Sequence, residues 1–184
     1  MKISSIISNI NELKPNIYTP STKLDWINHV EGAAWNEVFK YLAPVDISRV
    51  SGQASYDLPA RVTFDRIAKV FVDGEEMYPI DYSMFETTGY YRDSNNRLAI
   101  YPIPDSNDTT PGLRVVYRTP FTPHGSIDED VLIPSPYDKL YWQYISAMID
   151  WFNNEYENYN NSIGLYNTSF QEFKDWYEKQ GESR

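Results

Sequence analysis

RIAKVFVDGEEMYPI, residues 66–80, decides the fold. An apolar run reaches Val72, Asp73-Gly74 reverses the chain, and Glu75 to Ile80 returns. Asp-Gly supplies the positive φ angles of a two-residue turn, so the stretch predicts two antiparallel strands. Pro79 suits a strand end or an edge.

The pattern repeats outward. Tyr90 and Tyr91, the turn Asp93-Ser94-Asn95-Asn96, and Arg97 to Tyr101 predict a second hairpin, stopped by Pro102 and Pro104. Leu98 and Ile100 alternate with Ala99 and Tyr101. Leu113 to Arg118 predicts a last strand, with Leu113, Val115 and Tyr117 on one face. Upstream, SGQASYDLP (51–59) opens the module with Tyr56 and Leu58 on one face. Residues 81–89 predict a loop or helical turn around Met84 and Phe85, and DSNDTTPG (105–112) another turn. Ser51 to Arg118 is therefore a small antiparallel β-module with no recognisable chemistry of its own.

Both flanks predict helices. Ile3, Ile6, Ile7, Ile10 and Leu13 form one stripe. Pro15 and Pro20 then predict an extended link. Ser21 or Thr22 is the expected cap of the next helix, with Asp25 as a capping-box-like acid. Leu24, Ile27, Val30, Ala34, Val38 and Leu42 share a face, and Pro44 is expected to end that helix. Trp26 and Trp35 lie off the stripe, available to cover a second surface. After the Pro-rich crossing 119–136, Ser135 is the expected cap and Pro136 the first helical residue. Leu140, Tyr144, Ala147 and Trp151 make one stripe, and Tyr141, Ile145, Met148 and Phe152 another. A helix apolar over that much of its circumference belongs between layers or between subunits. The final helix carries Ile163, Tyr166, Phe170, Phe173 and Tyr177, with Trp176 beside them.

The expected fold class is α+β, a bundle of N- and C-terminal helices with an inserted antiparallel β-module, sandwich-like or barrel-like. The expected limits are 1–45 for the first helices, 46–122 for the module and 123–184 for the crossing loop and last helices.

Composition bounds the function. The 184 residues suit one compact body with an insertion. Without cysteine, no disulfide, Cys-ligated zinc or thiol nucleophile is available. No run approaches a membrane span, and MKISSIISNI lacks the pattern of a signal peptide. A net charge of −10 disfavours sequence-reading of nucleic acid, although repulsion suits a duct through which DNA slides. Aromatic residues make up 16% of the chain, 16 of them Tyr, which fits either a Tyr-rich core rim or a large partner surface.

Chemistry is sparse. His29, on a helix, and His124, in a Pro-flanked loop, are the two imidazoles, and both predict surface or core-rim roles. No triad, phosphate-binding Gly-rich loop or EF-hand spacing is present. The acids Ile127-Asp-Glu-Asp130 predict a solvated loop rather than a cation site. No catalytic residue, metal ligand or cofactor is assigned.

In order, WINHVEGAAWNEVFKYL, SGQASYDLP, RIAKVFVDGEEMYPI, RLAIYPIPDS, LRVVYRTPF and IPSPYDKLYWQYISAMIDWF resemble tailed-phage head-to-tail adaptors of the podovirus type, also called connector or tail tubular proteins. The resemblance covers about residues 20–180 and rests on the order and spacing of a Leu-Pro strand stop, an Asp-Gly hairpin and a Tyr-Pro-x-Pro strand. It implies a structural virion protein rather than an enzyme. It also implies a ring, commonly of about twelve copies, that joins portal to tail at the head–tail junction and lets DNA through its lumen. Portal and tail proteins are the implied partners, with assembly in the host cytoplasm and no membrane. The chain stops soon after Trp176, where relatives often carry an extension that reaches the portal. Trp26, Trp35, Tyr101, Trp151 and Trp176 are the expected interface residues. The competing reading is a cell-wall or carbohydrate-active accessory domain, which requires a paired-acid cleft.

Overall fold

The computed structural model describes residues 1–182 except 61, 82–86 and 106–111, with backbone alone at 181–182. The expected turns around Met84 and Phe85 and within 106–111 lie outside the described residues. The chain is α+β and divides into two compact units, one built from Met1–Phe39 with Phe121–Arg184, the other from Lys40–Pro120.

The first unit is helical. Helix α1 spans Ile3–Leu13 and buries Ile3, Ile6, Ile7 and Ile10, the stripe expected from spacing. Helix α2 spans Pro20–Ala34. Its cap is Thr19, whose Oγ1 accepts from the Thr22 N–H at 3.2 Å, not Ser21 or Thr22. Pro20 opens the helix instead of breaking the chain, because the first helical position needs no N–H.

Helix α2 passes into one π-helical turn, Trp35–Phe39, and then Lys40 takes φ 48°. That left-handed residue ends the helix, so Leu42 does not join the α2 stripe as expected. Leu42–Ile47 is a strand, β1, in the other unit. Helix α3 begins at Lys139, not Pro136, and runs to Phe152. Helix α4 covers Tyr156–Glu182 and absorbs most of the Asn-rich segment. One core joins α1, α2, α3 and α4 through Ile6, Ile27, Val30, Leu140, Tyr141, Ile145 and Phe173. Each such side chain contributes about 1.5–3 kcal/mol when fully buried. The Lys14 ammonium, at the C-terminal end of α1, bonds the buried Asp150 carboxylate and the Ser146 carbonyl, fixing α1 against α3.

The second unit is β. Its strands are β1, β2 (Ser55–Tyr56), β3 (Ile67–Val72), β4 (Glu75–Met77), β5 (Gly89–Arg92), β6 (Leu98–Tyr101) and β7 (Leu113–Arg118). They form two antiparallel sheets, in the orders β1-β7-β3-β4 and β2-β6-β5. Tyr56, Val70, Tyr90, Leu98, Ile100, Leu113 and Val115 from the two sheets share one core. The Asp73-Gly74 turn forms as expected, with φ of 53° and 83° and Val72 opposite Glu75. The second hairpin turns at Asp93–Asn96, where Asp93 Oδ1 accepts from the Asn95 and Arg97 N–H groups, both at 2.9 Å.

Strand β1 is a sheet edge. Tyr41 accepts from the Thr119 N–H at 2.9 Å, so main-chain bonding to β7 alternates along Ala43, Val45 and Ile47. Leu42, Pro44 and Asp46 turn their main chain outward, and Pro44 removes the middle donor of that edge.

Candidate functional site

The expected interface residues separate by environment. Trp26 is only 8% exposed and stacks on Phe152 at 5.9 Å, with Tyr18 edge-on at 5.4 Å. Trp35 is half-buried, 5.9 Å from Phe121. Trp176 is half-buried against Tyr137 and Phe173. Tyr101, half-buried, ends β6 in the β unit. Trp151 is the one presented to solvent, 47% exposed, with Tyr156 and Tyr159 rings at 5.5 and 5.0 Å.

Trp151 belongs to a larger surface that the sequence reading missed. Phe152 is 53% exposed with one side on Trp26, and Tyr156 is exposed to the same degree. Ile17 and Tyr18, from the link between α1 and α2, stand beside it: Tyr18 reaches the Phe152 ring at 5.9 Å and its hydroxyl donates to Asn153 Oδ1 at 3.0 Å. Ile17 is almost fully exposed. Trp151 and Phe152 at the end of α3 and Tyr156 at the start of α4 thus leave exposed aromatic area at the α3–α4 turn. The sequence signal is the pair of α3 stripes that run off the helix end at Trp151 and Phe152.

A buried polar knot lies elsewhere in the helical unit. Glu31 is wholly buried on α2. Its Oε1 accepts from the Tyr141 hydroxyl at 2.5 Å and the Leu132 N–H at 2.7 Å, and its Oε2 lies 2.5 Å from His124 Nε2. His124 Nδ1 lies 2.8 Å from Glu129 Oε2, and Glu129 Oε1 accepts from the Gly125 and Ser126 N–H groups. Asn28 and His124 exchange reciprocal side-chain and main-chain bonds at 3.1 and 2.8 Å. A carboxylate at each ring nitrogen calls for a donor at each, which is the imidazolium form. Burial opposes that charge, but the bonds to Glu129 and Glu31 prevail and raise the His124 pKa. Burial, and then the Glu31 charge, push the Tyr141 hydroxyl far above the usual tyrosine range, leaving it a fixed donor. The knot staples the crossing segment to α2 and α3, with every acceptor taken by the chain itself.

Two of the crossing acids are likewise engaged. Glu129 holds His124, and Asp130 pairs with Lys2 at 3.0 Å. Among the described residues, no group of three or more His, Asp and Glu is placed to hold a metal ion. In the β unit, a concavity of 580 Å³ is lined by Arg49, Asp73, Glu75, Glu76 and Asp105 among others. Arg49 and Lys69 engage two of its acids, Asp73 at 2.6 Å and Glu76 at 3.1 Å. No described helix is long and apolar enough to cross a membrane.

Two helical segments bracketing an antiparallel β unit are the order of elements that the resemblance to phage head-to-tail adaptors implies. The chain belongs to the SU10 adaptor protein family, whose model matches residues 1–183. No curated protein matches it. The family assigns a structural role at the head–tail junction of a phage particle.

Proposed function

We propose that copies of this chain form a ring that joins the portal to the tail and lets DNA pass through its lumen. The exposed aromatic turn carries this reading: Trp151 beside Tyr156, and Phe152 stacked on the buried Trp26, offer rigid apolar area that a neighbouring subunit or the portal would cover. A closed ring uses two different patches of each subunit, so exposed aromatic surface has a use in it. Trp35, Tyr101 and Trp176, all half-buried, are assigned to the margins of such contacts. The net charge of −10 supports the duct: many copies with acids facing inward repel DNA and let it move with little friction. In this reading the chain works by shape and contact, needs no cofactor, and reaches its place during assembly in the host cytoplasm.

Changing Trp151 and Tyr156 together to Ser tests it. The expected result is a folded protein, unchanged in thermal unfolding within a few degrees, that no longer joins portal-bearing heads. Full incorporation of this variant, or wild-type protein recovered from intact virions with neither portal nor tail component attached, contradicts the proposal.

A further inference from the structure

Within the β unit, the sheet β1-β7-β3-β4 has a second face. Val70, Leu113 and Val115 point into the core, so the alternating Phe71, Arg114 and Val116 point the other way. The register carries that face across β1: Leu42 stands opposite Arg118, Pro44 opposite Val116 and Asp46 opposite Arg114. Leu42 is 53% exposed and Pro44 is exposed, while Phe71 and Val116 are half-buried. Two ion pairs cross the face, Arg114 to Asp46 at 2.7 Å and Lys69 to Glu76 at 3.1 Å. Arg118 is exposed and has no ion-pair partner among the described residues. The face is therefore apolar with one unmatched positive charge.

The α3–α4 turn has the opposite character. Trp151, Phe152 and Tyr156 give it exposed aromatic area, and the exposed Glu155 and Glu157 flank Tyr156. Glu155 accepts from the Asn158 amide at 2.9 Å, and neither acid forms an ion pair among the described residues. Charge is divided in the same sense over the chain. Lys40–Pro120 holds 9 of the 16 Lys and Arg but 11 of the 26 Asp and Glu, a net −2, which leaves −8 on the helical unit. Helical surfaces of two copies therefore repel one another more than either repels a β unit.

We propose that the α3–α4 turn of one copy docks on this sheet face of a second copy. The aromatic rings cover Leu42, Pro44 and Val116. Glu155 and Glu157 meet Arg118, whose guanidinium also suits the face of an indole. Turn-to-turn contact brings four acids together, and face-to-face contact brings two unmatched guanidinium groups together, so the charges select the unlike pairing. A contact between two different patches repeats head to tail and closes into a ring where the rotation permits. The inference rests on the ring reading and names the neighbouring copy, not the portal, as what covers the turn.

The test is photo-crosslinking in intact particles, with a benzophenone amino acid placed at Glu157 in one variant of the full chain and at Leu42 in another. Irradiation of the first is expected to give a dimer-sized product of this chain, its adduct mapping by mass spectrometry to β1 or β7. The second is expected to link to residues 151–157 of another copy. Adducts to portal or tail protein at both positions, or no adduct at either in assembled particles, overturn the inference and leave the ring reading standing. Particles that lack the wild-type chain overturn both. Charge reversal supplies a second readout that needs no photoreactive residue. Arg118→Glu is expected to lower the copies of this chain per portal at least about tenfold. Adding Glu155→Lys and Glu157→Lys is expected to restore them to within about twofold. Reversal without loss, or loss without restoration, overturns the inference.

Discussion

Glu31 shows how much one residue can decide. It is a carboxylate at the centre of the helical unit, held by Tyr141, Leu132 and His124. Breaking such a buried pair from one side typically costs about 3–5 kcal/mol, because the remaining charge is stranded. Glu31→Ala is therefore expected to lower unfolding free energy by about that amount in chemical denaturation. A loss under about 1 kcal/mol would mean the knot relaxes without cost. His124 adds a pH signature. Its pKa is raised in the folded chain, so its contribution is complete below the unfolded value of about 6.5 and fades as pH climbs through the folded value. Denaturation between pH 6 and pH 9 should show stability falling with pH, and His124→Gln should flatten that slope. Asp93 has the opposite sign. The Arg97 N–H, then Ser55, the Arg97 side chain and the Asn95 N–H, outweigh desolvation and hold its carboxyl down at about 2. Its stabilisation of the hairpin is complete above about pH 4 and is lost as pH falls toward 2, a loss that Asp93→Asn should abolish. The knot was not legible in the sequence. Glu31 lies 93 residues from His124 and 110 from Tyr141, and no spacing rule links a helix acid to a loop imidazole. The reading placed His124 at the surface or the core rim and did not reach its partners.

At the scale of elements, hairpins read well because their signals are local. Asp73-Gly74 needs positive φ, which Gly74 supplies without strain. No atom lies within 4 Å of a Cβ built there, so Gly74→Ala should destabilise through backbone strain alone, by about 1 kcal/mol. Boundaries set by competing signals were misread. Leu42 continues the α2 spacing and also starts the period-two pattern of Ala43, Val45 and Ile47 facing inward. Pairing with β7 along six residues decides for the strand. Pro20 reads as a breaker beside Pro15, yet a proline after a threonine serves equally as a first helical residue. Pro44 gives the edge strand a purpose for its irregularity. Pro44→Thr restores an outward donor in the middle of β1, so sedimentation velocity on the isolated protein should show broad, open-ended association absent from wild type. Unchanged sedimentation would place the edge protection elsewhere.

At the scale of the whole molecule, element order carried the family. Helices, β-module and helices follow one another as the resemblance implied, and the family match spans residues 1–183. What the order left out was the position of the exposed aromatic surface. Tryptophans were singled out by type, yet packing buries Trp26 and presents Trp151 with Phe152 and Tyr156, because a helix end leaves its last apolar residues without a covering layer. Asymmetric reconstruction of intact particles decides whether this chain forms a ring at the head–tail junction. A single ring of about twelve copies is expected between portal and tail, with the Trp151–Phe152 surface covered by protein and acids lining the channel. Density for this chain away from the junction, or a channel lined mainly by Lys and Arg, contradicts it.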